Sequence, residues 1–135
     1  MARQRVDARL AVLARRRADL SSAHFGLAYL VQDATDALAS GERLAMSVPK
    51  RQLKRAVDRN QLKRIAREAW RLQAWGDAPR PALVVMLKLR RTEADWKTSG
   101  RTALKKAWRA ELDELFLRMR RRVRAQALRN GLPDA

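Results

Sequence analysis

Cysteine is absent from the 135 residues, and histidine occurs once, at His24. No disulfide framework, thiolate nucleophile or cysteine-ligated zinc can therefore be built, nor any pair of histidine metal ligands. His24 itself reads as a strand-edge or packing residue. Glycine is scarce, with five residues, and nowhere forms the glycine-rich loop that cradles phosphates. Acids are scarce too: the only dense group is Glu111, Asp113 and Glu114. With Arg109 and Arg118 close by in a helical stretch, these read as surface ion pairs, not a two-metal site. No apolar run approaches the ~20 residues that span a bilayer. Met1–Leu20 carries six Arg and two Asp and lacks the apolar core of a signal peptide. The expected protein has no catalytic or metal-binding residues of its own and no organic cofactor. It is expected to be cytoplasmic, away from membranes.

What the chain has in excess is positive charge. Thirty-one Lys and Arg face 14 Asp and Glu, a net of +17, while 47% of residues are apolar, enough for a packed core. One domain over residues 1–135 is expected, with its core at about 6–119 and a basic, partly unstructured tail at 120–135. The charge is clustered. Arg43–Arg71 holds ten Lys/Arg and two acids, and Arg118–Arg129 holds six Arg and no acid. Clustering of this kind costs self-repulsion, and a phosphate backbone relieves it.

Apolar periodicity orders the chain. Val6, Leu10 and Leu13 at i, i+4 and i+7 predict a short amphipathic helix ending near Arg15-Arg16-Arg17. Phe25, Leu27, Tyr29 and Val31 alternate with Ala28 and Leu30, which predicts a strand. The polar stretch Asp33–Gly41 predicts a loop. Leu44, Met46 and Val48 predict a second strand stopped by Pro49. After a basic connection, Asp58 and Gln61 have the spacing of a capping box. Leu62, Ile65, Ala66, Ala69 and Leu72 then line one helix face, with Gly76, Pro79 and Pro81 beyond its end. Ala82–Leu87 is continuously apolar and predicts a strand buried on both sides. Strand, helix and buried strand make a βαβ crossover with a parallel pair. Leu104, Trp108, Leu112, Leu115 and Met119 mark a second long helix, and Trp70, Trp75 and Trp108 read as core.

The helix near Asp58 carries the densest chemistry. Its free N–H groups and positive dipole end suit phosphate. Arg59, Asn60, Lys63, Arg64 and Arg67 extend that surface, and Arg59, Lys63, Arg67 and Arg71 recur at i, i+4. A basic amphipathic helix also suits DNA or an anionic membrane, but here the flanking strands need its apolar face.

The stretch Leu44–Trp70, LAMSVPKRQLKRAVDRNQLKRIAREAW, resembles the protein subunit of bacterial ribonuclease P. The residues that carry the likeness are Val48, Lys50, Arg51, Ala56, Val57, Arg59, Asn60, Leu62, Lys63, Arg64, Arg67, Glu68 and Trp70. Gln61 stands where the family's Arg-Asn-Arg signature has its second arginine. The resemblance implies an α+β fold: a single α/β sandwich domain, its mixed four-stranded sheet packed with about three helices. The βαβ crossover would be left-handed, as in ribosomal protein S5 domain 2-like folds. It also implies an accessory subunit of an endoribonuclease whose catalytic groups, with their Mg²⁺, lie on RNA. RNase P RNA would dock on Lys50, Arg51, Arg59, Asn60, Gln61, Lys63, Arg64, Arg67 and Arg71. Precursor tRNA would be the second partner, its 5′ leader held in a cleft formed by Leu10, Leu13, Phe25 and Tyr29. Leader removal would give the mature tRNA 5′ end, over a broadened substrate range, with no obligate protein partner. A ribosomal or RNA-chaperone protein is the alternative for such a sequence.

If about six phosphates are neutralised, the slope of log affinity against log salt should be about −4 on single-stranded RNA and steeper on duplex. Titrations at several salt concentrations read that slope directly, and a flat response contradicts a phosphate-binding role.

Overall fold

Large and small side chains alternate along Phe25–Val31, and the strand they form sets the layout of the whole sheet. The computed structural model describes residues 11–31, 43–73, 83–97 and 100–129. The loop expected at Asp33–Gly41 lies outside those residues, as do Val6, Leu10, Trp75, Gly76, Pro79, Pro81 and Ala82. Helix α1 is described over residues 11–15. It is followed by strands β1 (Leu20–Ser21), β2 (Phe25–Val31) and β3 (Arg43–Ser47), helix α2 (Ala56–Arg71), strand β4 (Leu83–Leu89), a 3-10 turn (Ala94–Lys97) and helix α3 (Arg101–Arg129).

The sheet order is β1-β2-β4-β3. β2 runs antiparallel to both β1 and β4, whereas β3 is parallel to β4. The parallel pair is joined through α2, as the apolar run of β4 requires: a strand with helices on both faces cannot alternate. Leu83 to Leu87 are all buried. The register Leu27↔Leu87 and Ala28↔Met86 sorts the side chains into two cores. Phe25, Leu27, Tyr29, Leu83, Val85, Leu87 and Leu89 meet α2 and α3 through Leu62, Ala66, Trp70, Trp108, Leu112, Phe116 and Met119. Ala28, Val84 and Met86 meet Leu13 of α1 on the other face. Bulk decides the assignment: the face carrying the large residues of β2 takes two helices, and the face carrying Gly26, Ala28 and Leu30 takes α1 among the described residues.

Three expectations are corrected here. Helix α2 begins at Ala56 after Arg55, which makes no side-chain cap bond, so Asp58 sits inside the first turn and is not the cap. Leu72 is 59% exposed and outside the core stripe, because α2 ends one residue earlier; Trp70, 8% exposed, is the last core residue of the helix. Residues 120–129 are not a frayed tail: α3 continues to Arg129, and Val123, 4% exposed, packs into the main core. An apolar residue four positions after Met119 keeps the helix in register with the sheet for one more turn.

Burial differences of this size give a direct test. Leu112→Ala, at a fully buried position, should cost about 2–5 kcal/mol in urea denaturation. Leu72→Ala should fall within about 0.5 kcal/mol of the parent, as exposed substitutions do.

Candidate nucleic-acid interface

Packing of Leu62, Ala66, Ala69 and Trp70 into the core turns the remaining stripes of α2 outward. Asn60, Arg64, Arg67 and Arg71 are exposed and Lys63 is half-buried. Arg64, Arg67 and Arg71, with Glu68, line an open depression of about 290 Å³. Among the described residues no acid pairs with Lys63, Arg64 or Arg67. The one acid in the depression, Glu68, is drawn away by Arg109 of α3, 3.5 Å from it, and Arg109 also holds Asp113 at 3.0 Å. The depression is left strongly positive.

The loop before α2 adds to this surface. Gln52 and Leu53 both donate backbone N–H to the Pro49 carbonyl, at 3.0 and 3.1 Å, and Leu53 buries its side chain. Gln52 Nε2 donates to the Arg90 carbonyl at 2.9 Å. That tight turn holds Lys50, Arg51, Lys54 and Arg55 in the open, all exposed.

Two of the residues expected to touch RNA turn out to have internal work. Arg59 donates one Nη1 to the carbonyls of Leu53 and Lys54, both at 2.8 Å, so it fastens the basic loop to the helix. A guanidinium has five donors, so bonding these carbonyls does not use it up. Gln61 accepts a hydrogen bond from Arg101, which also reaches Asp58 at 3.2 Å. The pair at Asp58 and Gln61 therefore ties the start of α3 to the start of α2. Forty residues separate these partners, and spacing along the chain carries no trace of the link.

The expected leader cleft is corrected more sharply. Phe25 is 1% exposed and Tyr29 8%, and both face α2 and α3. Leu13 is fully buried on the opposite face, against Ala28, Val84 and Met86. The three cannot line one groove, and none offers a ring or side chain to an unpaired base. Leu10 lies outside the described residues. The α1 side of the sheet instead presents half-buried Ala45 and Ser47 beside Lys88. The Lys88 ammonium donates to the Ala14 carbonyl at the end of α1.

A polar cluster that the sequence reading missed joins the β1–β2 turn to α3. His24 Nδ1 lies 2.6 Å from Glu111 Oε1, and the His24 backbone N–H donates to Glu111 Oε2 at 2.8 Å. Ser22 Oγ donates to the same oxygen. His24 Nε2 faces Glu93 at 3.2 Å, and its ring packs on Trp96 at 4.9 Å. Glu111 is thus no surface ion pair. Burial pushes its carboxyl up, but the hydrogen bonds from His24, Ser22 and the His24 backbone, with the charge of His24, outweigh burial and hold it below its ordinary value. Ser22 bonds the carboxylate and not the imidazole, so these residues form no nucleophilic relay. Among the described residues no group of three or more His, Asp or Glu can hold a metal ion, and no helix is long and apolar enough to cross a membrane.

A mixed-sheet α+β layer that presents Lys63, Arg64 and Arg67 with no acidic partner among the described residues has the character of a nucleic-acid-binding protein. A profile of the family described as Ribonuclease P matches residues 7–112. The RNase P protein from Thermotoga maritima, solved in complex with 1-(4-fluorophenyl)-2-thiourea, shares this fold. Its TM-score is 0.54 at 18% identity, over 81% of this chain and 95% of that one. No curated protein matches. The chain belongs to the ribonuclease P protein family, and is an RNA-binding subunit of that tRNA-processing ribonuclease. Membership implies association with RNase P RNA.

A lowered carboxyl stabilises the fold above its unfolded-state pKa, and that stability is lost as pH falls through the folded value. The parent should lose stability as pH drops below about 4.5, the ordinary value for this group. Glu111→Gln should be less stable at neutral pH and flatter between about pH 5 and 3. Thermal melts across that range check both.

Proposed function

We propose that this subunit docks on the catalytic RNA of ribonuclease P through α2 and the preceding loop, and assists removal of the 5′ leader from precursor tRNA. The observation that carries the proposal is the row Lys63, Arg64 and Arg67, which has no acidic partner among the described residues. Arg67 lies one turn beyond both Lys63 (i+4) and Arg64 (i+3), spacings that place charges about 5–6 Å apart, within reach of successive phosphates. Arg64, Arg67 and Arg71 supply guanidinium forks, Asn60 adds an amide, and Lys50 and Arg51 extend the contact from the loop. Arg59 acts mainly as a positioning residue for that loop, and Gln61 for α3.

The leader lies, in this reading, on the α1 side of the sheet, over Ala45, Ser47 and Lys88, in place of the buried Phe25 and Tyr29. Small side chains leave room for a sugar–phosphate strand, and the contact is made to backbone and not by stacking. In this reading Mg²⁺ is held by the RNA partner, and no step is routed through this chain. The protein contributes affinity and placement in the cytoplasm, where bond breaking is left to the RNA. Supporting this division are the charge balance, the internal use of the acids and the family membership.

Cleavage of a precursor tRNA by a bacterial RNase P RNA, with and without this chain at low Mg²⁺, tests the proposal. The chain should restore leader removal. Arg64→Gln/Arg67→Gln should need at least tenfold more protein for the same effect, since each charge-assisted bond contributes about 1.5–3 kcal/mol. Equal stimulation by the variant, or RNA binding without any gain in cleavage, would overturn it, the second in favour of a ribosomal or chaperone role.

A further inference from the structure

The family profile ends at residue 112, yet α3 runs on to Arg129. The distal part of the helix is not a loose appendage. Leu115, Phe116, Met119 and Val123 are buried in the main core, so residues 113–123 are held against the sheet. The opposite side of the same turns is basic. Arg118, Arg121 and Arg122 are all exposed and, at i, i+3 and i+4, share one helix face.

These arginines stand over the β1 edge. Arg118 Nη1 donates to the Ser21 carbonyl at 2.9 Å, and Arg122 Nη1 to the Asp19 carbonyl at 2.8 Å. Each bond fixes a guanidinium by one nitrogen at an exposed position, and a guanidinium has further donors. Arg121 between them has no partner among the described residues. Arg17, exposed and also without one, lies two residues before the carbonyl that Arg122 holds. Asp19, the acid next to these carbonyls, is engaged locally, by Arg16 at 2.7 Å and by the Tyr29 N–H at 3.0 Å.

We infer that the distal half of α3, with Arg17, forms a second phosphate-binding surface that grips a structured segment of the catalytic RNA. The inference rests on the docking role proposed for α2. The catalytic RNA is favoured over precursor tRNA because α3 packs beside α2 in one helical layer, whereas the α1 side assigned to the leader is the other face of the sheet. Two arginine surfaces in one layer, over β3–β4 and over the β1 edge, let a folded RNA contact the layer at both ends. Pre-orientation by carbonyl bonds lowers the ordering cost of the contact.

The test uses full-length protein and full-length catalytic RNA. Arg17→Gln/Arg121→Gln removes two charges that make no internal bond, so the fold, followed by thermal melting, should be unchanged. Affinity for the catalytic RNA should fall about tenfold, and the log–log salt slope should become shallower by about 2 on duplex RNA. Unchanged affinity and slope, while Arg64→Gln/Arg67→Gln still weakens binding, would overturn the second surface and leave the α2 reading standing. Unchanged binding in both variants would overturn both. Intact affinity for the catalytic RNA with weakened capture of precursor tRNA by the holoenzyme would also overturn it, since the edge would then serve the substrate.

Discussion

Burial of Leu62, Ala66, Ala69 and Trp70 between the sheet and α3 is the constraint on which the functional surface depends. A helix with one apolar stripe has no choice about which side faces water. Once that stripe is seated, the rows bearing Asn60, Lys63, Arg64 and Arg67 point outward, whatever the charges would prefer. Apolar packing thus holds together a set of cations that repel one another, and an RNA backbone relieves the repulsion.

Six of the described acids complete this arrangement by working inside the molecule. Asp58 pairs with Arg101, Glu68 and Asp113 with Arg109, Asp19 with Arg16, and Glu93 and Glu111 with His24. Most of these links join elements distant in sequence, and α3 is a partner in most of them. Exposed pairs of this sort contribute little each to stability. Their larger effect is on the field: acids spent on joining α3 to α2 and to the β1–β2 turn do not neutralise the outer face of α2 or of distal α3.

Much of the fold was legible because burial imposes a period. The alternation of β2, the unbroken apolar run of β4 and the helical repeats of α2 and α3 all report how many sides of each element are covered. Partners were less legible. Alternation shows that Phe25 and Tyr29 share a face but not which helix covers it. The signal that could have decided it was volume, since Gly26, Ala28 and Leu30 fill less space than Phe25, Leu27 and Tyr29. β1, at two residues, is too short to show a period. The site was legible as a basic helix with a family signature. That Arg59 fastens a loop and Gln61 takes Arg101 depends on contacts between side chains and backbone, for which residue type alone has no marker.

The absence of cysteine makes the central claim open to direct measurement, because one introduced thiol can carry one photoreactive probe. Attached at Asn60→Cys, on the exposed face of α2, the probe should crosslink to the catalytic RNA in the assembled holoenzyme, with or without precursor tRNA. At Ser47→Cys, on the α1 side, it should reach the leader only when precursor tRNA is bound. Crosslinks from Asn60→Cys to precursor tRNA alone, or none to either RNA while binding persists, would contradict the account.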